Sequence, residues 1–363
     1  MKRPYFLFYI NKIMYGVKMP RLGTEDALMS LHPLPPLAEQ KRIVDKIDRL
    51  MAGCDELEQK RSLRDQKRIT VHRAAINCLL NSPEDDGRAW QFIAQNFKKL
   101  YSTKENITEL RKAILQLAVM GKLVPQDPND EPASELLKAI EAEKERSIQD
   151  GKIKKSKPLP EIKPEEMPYD LPKSWEWIRL GDIVSVLGDG LHGTPIYDET
   201  GDYYFVNGNN LCDGVIIIKD NTKKVSFSEY LKYKKDLNEK TVFVSINGTI
   251  GNVGFYKFEN IILGKSVCYF NLIGGINKHY IKKLINSSYF LLYALFSATG
   301  STIKNVSLKV MREFAVPLPP LAEQKRIVEK IDRLMALCDQ LEQHLEAATH
   351  QQTRLLQAVM AQV

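Results

Sequence analysis

Gly188, Gly190 and Gly193 follow a short apolar run and spell a GxGxxG pattern, the spacing that lets pyrophosphate approach a backbone. That chemistry also needs a helix to open directly after the loop, because the helix N-terminus holds the phosphate. Thr194, Pro195 and the polar run to Gly201 cannot open one, so the glycines predict a tight loop instead. There is no GxxxxGK[ST] run, which removes P-loop nucleotide chemistry. There is no Asn/Asp-Pro-Pro-Tyr/Phe run either, so an amino-methyltransferase site is missing. The six histidines (His32, His72, His192, His279, His344, His350) are isolated, and no two make a metal pair at helical spacing. The five cysteines are scattered, odd in number and never spaced CxxC, which indicates neither zinc nor a disulfide framework and fits a reducing cytoplasm. No nucleophile–base pair is found. Catalytic residues, metal ligands and a cofactor bound by this chain are therefore all set at none.

What remains is hydrogen-bonding chemistry on loops. The candidates are Gly190, His192 and Thr194 in the glycine loop, then Asn207, Asn209 and Asn210. Ser245, Asn247 and Thr249 form a third loop, and Ser301, Thr302, Lys304 and Asn305 a fourth, with Lys223 and Lys265 adding charge. Asn can pair with an adenine edge, Ser and Thr with several bases, and Lys with guanine or phosphate. The same residue types are favoured in turns, so an ordinary turn role stays open at each position.

These loops must be held by strands. Residues 174–316 alternate short apolar runs (183–187, 203–206, 215–218, 241–246, 254–256, 267–272) with Gly, Asn and Asp, as strands and turns should. A helix is predicted at about 278–298. The fold class expected is α+β: a mixed, strand-rich domain plus long helices forming an antiparallel coiled coil.

The helices announce themselves by repetition. Residues 33–59 recur at 317–343, an offset of 284, with changes only at Asp45/Glu329, Gly53/Leu337 and Glu56/Gln340. The offset extends upstream, with Tyr5 to Tyr9 aligning with Tyr289 to Tyr293 and Gly16 with Gly300, so the chain reads as beginning inside a domain. Each copy opens on Pro-rich punctuation and continues at coiled-coil spacing. The seams are Ile43, Ile47, Leu50 and Leu57 in the first copy, and Ile327, Ile331, Leu334, Leu341, Leu345 and Leu355 in the second. A helix over 322–363 would span roughly 60 Å. In the first copy the seam meets Arg61, Arg64 and Arg68, where the register must shift or the helix end. Two equivalent helices, most simply paired antiparallel as a spacer, are expected.

Five segments follow: a domain tail at 1–32, a helical region at 33–150, a basic Pro-rich linker at 151–173, the strand-rich domain at 174–316 and the last helix at 317–363. The helix near 134–150 reads as charged and solvent-facing, and Lys152, Lys154, Lys155 and Lys157 as a solvated run that could touch phosphates. Net charge of +7 permits a polyanion without requiring one. No apolar run reaches the ~18 residues of a membrane span, so no membrane partner is expected.

The runs PLPPLAEQKRIV…DRLMALCDQLE, ILQLAVMGKLVPQDPNDEPASELL and LPKSWEWIRLGDI resemble the specificity subunits of type I restriction–modification systems, most of all type IB. The resemblance covers nearly the whole chain. It implies a bacterial or archaeal cytoplasmic protein that reads one part of a split double-stranded DNA site and catalyses nothing itself. It implies modification subunits using S-adenosylmethionine and restriction subunits using ATP and Mg²⁺. Members carry two complete recognition domains; here only the tail of the first is present. Two outcomes follow from that departure: a disrupted product that acts as a coiled-coil scaffold, or a half-subunit working as a homodimer.

Overall fold

The computed structural model describes residues 4–15, 21–29, 31–81, 87–153 and 158–361, so Lys154, Lys155 and Lys157 lie outside the described residues. The chain divides into two compact units, residues 1–67 and 68–363.

The first unit holds α1 (Pro4–Ile13), α2 (Thr24–Leu28) and most of α3 (Leu37–Asn81). It copies a later part of the chain at the offset of the repeat. The Tyr9 hydroxyl donates to the Asp26 carbonyl at 3.1 Å, and 284 residues on the Tyr293 hydroxyl donates to the Val310 carbonyl at 2.8 Å. Tyr15 and Arg21 exchange backbone bonds, as do Thr299 and Asn305. Gln40 Nε2 donates to the Pro35 carbonyl at 2.8 Å, and Gln324 Nε2 to the Pro319 carbonyl at 2.9 Å. The side chain thus ties the Pro turn to the first helical turn in both copies.

α3 passes unbroken through Arg61, Arg64 and Arg68, so of the two outcomes expected there the helix does not end; beyond them the buried residues are His72, Ala75, Ile76 and Leu79, and His72, Ile76 and Leu79 lie one position off the earlier seam. Arginine is a good helix former, and an exposed helix face needs no apolar seam. A Glu56–Lys60 pair at 2.6 Å supports the stretch just before it. Ile43, Ile47, Leu50 and Leu57 are all exposed.

The second unit opens with the end of α3, which buries His72, Ala75, Ile76 and Leu79. Then come α4 (Arg88–Gln95), α5 (Phe97–Leu100), α6 (Lys104–Val119) and α7 (Ala133–Gln149). The predicted α6 seam, Ile107, Leu110, Ile114 and Leu117, is buried. α7 is not the solvent-facing helix expected: Ala133, Leu136 and Ile140 are buried, and Glu143 accepts from the Gly274 N–H at 3.0 Å. Its charged residues mask a short apolar stripe. The linker beyond is also less free than expected. Arg179, itself buried, donates to the carbonyls of Pro160 and Glu161 and forks onto the Glu166 carboxylate at 2.7 and 2.8 Å.

The strand-rich part contains β1 (Glu176–Arg179), β2 (Val184–Asp189), β3 (Tyr203–Val206), β4 (Leu211–Cys212), β5 (Val215–Ile216) and β6 (Lys224–Val225). After α8 (Phe227–Tyr233) come β7 (Thr241–Ser245), β8 (Val253–Phe255), β9 (Ile261–Leu263) and β10 (Val267–Leu272). The order β2-β10-β7-β8 makes an antiparallel sheet, and β6-β3-β9 a mixed one. The predicted helix at 278–298 is two, α9 (Lys278–Ile285) and α10 (Ser288–Ser297). Ser287 divides them, donating to the Leu284 carbonyl at 2.6 Å and capping α10 by accepting from Phe290 N. α11 (Leu308–Glu313) and β11 (Ala315–Leu318) lead into α12 (Leu321–Ala361), and β11 pairs antiparallel with β1.

Within the second unit, α12 runs antiparallel to α6. Lys104 bonds Glu346 at 2.5 Å, Arg111 bonds Asp339 at 2.6 Å, and Asp130 beyond α6 holds Arg326, so one helix rises as the other falls. Ile327, Ile331 and Cys338 are fully buried between these bonds, with Leu334, Leu341 and Leu345 packed beside them. α6 begins at Lys104, opposite Glu346, and Leu355 farther along α12 is exposed.

Candidate nucleic-acid interface

The glycine loop leaves the end of β2. A Cβ on Gly190 would lie 2.2 Å from the Leu263 carbonyl oxygen, so the backbone can cross here only as glycine. Gly190 N–H donates to Val267 O at 3.2 Å and Leu191 N–H to Leu263 O at 2.7 Å. The loop therefore crosses the β9–β10 turn and opens no helix, which leaves no dinucleotide cradle.

That turn joins the next loop. Gly264 N–H donates to Val206 O at 2.8 Å, and Ser266 Oγ donates to Asn207 Oδ1 at 3.1 Å while accepting from Gly208 N. Gly208 rests on Ser245, where a Cβ would sit 2.8 Å from the serine Cβ. Beyond Ser245, Gly248 N–H donates to Lys304 O at 3.1 Å and Val306 N–H to Ile246 O at 2.8 Å. The Asn247 amide donates to Asn305 Oδ1 at 3.2 Å. Contacts thus run without a break from residue 190 through 263–266, 207–210 and 245–249 to 299–306. The four predicted loops are one surface.

Within it the candidates divide. His192, Thr194, Asn209, Lys223, Thr249, Lys265, Ser301, Thr302 and Lys304 are exposed, and Asn207, Asn247 and Asn305 half-buried. Three candidates are corrected. Gly190 is buried against backbone. Asn210 is buried and spends its amide on Ile217 O and Thr222 Oγ1 while accepting from Asn207 N. Ser245 is fully buried and accepts from Asn252 N at 2.8 Å. These three build the loops and offer no edge to a ligand.

Charge on the surface is positive. Among the described residues no ion pair holds Lys223, Lys265 or Lys304, whereas Lys232 pairs with Glu229 and Lys309 with Glu313. Sequence reasoning missed the aromatic seats of this charge. Lys223 lies 5.9 Å above the Tyr197 ring and Lys235 5.9 Å above that of Tyr269, whose edge lies against Gly188. Tyr197 and Lys223 are too far apart in the chain for spacing to reveal them. Asp189 was also missed, although it stands three residues before His192; the two side chains meet at 2.6 Å. Such a surface can accept and donate hydrogen bonds at base edges and neutralise phosphates. The described residues hold no group of three His, Cys, Asp or Glu placed to bind a metal, and no helix long and apolar enough to cross a membrane.

Residues 172–349 match the model of the family described as the type I restriction modification DNA specificity domain. Over nearly the whole chain the resemblance is to type I restriction enzyme specificity subunits. The chain is 35% identical over 345 residues to the type I restriction enzyme EcoAI specificity subunit of Escherichia coli, covering 90% of this chain and 57% of that one. It is 32% identical over 378 residues to the EcoEI specificity subunit of Escherichia coli, covering 99% and 62%. Among solved structures, a specificity subunit from Thermoanaerobacter tengcongensis aligns over 98% of this chain and 66% of that chain, at 17% identity and a TM-score of 0.40. The chain thus spans about three fifths of the curated relatives' length.

Proposed function

We propose that the chain is a non-catalytic specificity subunit that reads double-stranded DNA through the surface formed by the four loops. The observation that carries this is the contiguity of those loops, which brings exposed amides, hydroxyls and unpaired lysines together on a domain of the DNA-specificity family. The amides and hydroxyls of Asn247, Asn305, Ser301 and Thr302 read base edges. Lys265 and Lys304 meet phosphates. Bound this way, the chain directs modification subunits, which carry S-adenosylmethionine, and restriction subunits, which carry ATP and Mg²⁺, to a split site in a bacterial or archaeal cytoplasm. No step of that chemistry falls to residues of this chain.

One recognition domain reads one half-site. Two copies related by a two-fold axis would read two, and the target would then be palindromic. The test is methylation sequencing of DNA exposed to the chain with its modification subunit. A split palindromic motif is expected. Methylation without any motif, or none at all with a competent modification subunit, would sink the reading. Light scattering on the purified chain, alone and with that subunit, tests the pairing separately.

A further inference from the structure

A negative charge stands inside the positive loop surface. Asp189 ends β2 opposite Cys268 of β10, and its side chain is only 21% exposed. A carboxylate beside phosphates opposes binding unless its charge is committed elsewhere. Asp189 Oδ2 is committed to His192 Nε2 at 2.6 Å, and the imidazole stands outside it, 72% exposed. The backbone between the two is pinned. Gly190 crosses the β9–β10 turn where a Cβ would meet the Leu263 carbonyl, and Leu191 N–H donates to Leu263 O at 2.7 Å.

That bond fixes which atom the ring presents. A carboxylate only accepts, so the neutral imidazole carries its proton on Nε2 and leaves Nδ1 bare. A bare Nδ1 can accept and cannot donate. In the major groove the donors are the amino groups, N6 of adenine and N4 of cytosine, whereas guanine and thymine offer acceptors. Asparagine, serine and threonine side chains both donate and accept, so they tolerate either kind of edge. The paired ring does not.

We infer that His192 reads an amino-bearing base, adenine or cytosine, through Nδ1, and that Asp189 is the positioning residue that sets the tautomer for it. This rests on the DNA-reading proposal above and assigns one of its bases.

The test is methylation sequencing with the modification subunit, in mildly alkaline buffer so that the neutral ring does the reading. It compares the unsubstituted full-length chain with His192→Ala and Asp189→Asn. The unsubstituted chain is expected to demand adenine or cytosine at one motif position. His192→Ala should relax that position alone, by roughly 3- to 10-fold, the worth of one hydrogen bond. Asp189→Asn keeps the shape of the side chain, but its amide can donate to Nε2 and so move the ring proton to Nδ1, the wrong tautomer that such a change produces beside a histidine. That variant should admit guanine or thymine at the same position. A merely structural role for Asp189 would leave the Asp189→Asn motif unchanged, and that result overturns the proposal. So does a motif that stays sharp throughout in His192→Ala, or one that relaxes where the unsubstituted chain demands guanine or thymine. No motif from the unsubstituted chain would sink DNA reading itself, whereas the other failures leave it standing, so the two are told apart.

Discussion

The indole N–H of Trp175 donates to the carboxylate of Glu323 at 2.9 Å across 148 residues of sequence. It joins the first residues of the strand-rich domain to the first turn of α12. Glu323 is fully buried, and burial pushes its carboxyl above the usual range, with the Trp175 and Gln126 bonds pulling back. Glu323→Ala leaves the buried Trp175 N–H unpaired and should cost about 1–3 kcal/mol of stability in urea unfolding. A raised carboxyl means the folded chain takes up its proton at higher pH than the unfolded chain does. This group's contribution therefore improves as pH falls through the window just above the ordinary carboxylate value, and worsens as pH rises through it. Glu323→Gln should remove that slope while leaving Trp175 an acceptor.

Asn247 and Asn305 meet side chain to side chain and brace each other. Asn247→Ala or Asn305→Ala should relax one position of the methylated motif, with discrimination there falling by about 1–3 kcal/mol. The two substitutions together should cost less than their sum, because either one already breaks the brace. A motif that stays equally sharp at every position would remove both residues from base reading.

Lys265 and Lys304 carry charge without order. Replacing either by Ala should weaken specific and random DNA alike and reduce the slope of log K against log salt by about 0.9 for each phosphate no longer neutralised. Titrations between 50 and 200 mM salt, roughly the range over which such slopes are read, decide it.

His72 is fully buried, and neither ring nitrogen has a hydrogen-bond partner. It packs edge-on against Tyr101 at 5.2 Å. Burial lowers its pKa, with Glu109 opposing and Arg73 adding to the effect. A depressed histidine is neutral in the folded chain and charged in the unfolded chain at the same pH. Stability from this group is thus present above about pH 6.5 and is lost as pH falls below it. His72→Phe should flatten thermal stability below about pH 6.5 and leave the methylated motif unchanged.

Strands were legible where apolar runs met glycine and asparagine: β3 and β10 fall on the residues that alternation picked out. The structural repeat was legible too, since two copies of one sequence fold alike. Three features were not. The break at Ser287 rests on a capping bond inside an apolar stretch, and α7 buries only three residues amid charge. The roles of Asn210 and Ser245 could not be separated from those of Asn247 and Asn305. All four are small polar residues by type, and only the direction of each side chain sets the buried pair apart from the half-buried one.

β1 and β11 lie side by side, with Glu176 opposite Leu318 and Arg179 opposite Ala315. The strand-rich domain between them therefore enters and leaves the chain at one place. All of residues 180–314 hang from this two-stranded clasp, and the Arg179–Glu166 fork locks it from the linker side. Such a domain is a cartridge. A different head grafted between residues 179 and 315 must present two adjacent ends and also replace Gly274 and Lys283, which hold α7 and α12 from inside the clasp. With those contacts kept, the helices outside the clasp would hold their seats while the head changes wholesale.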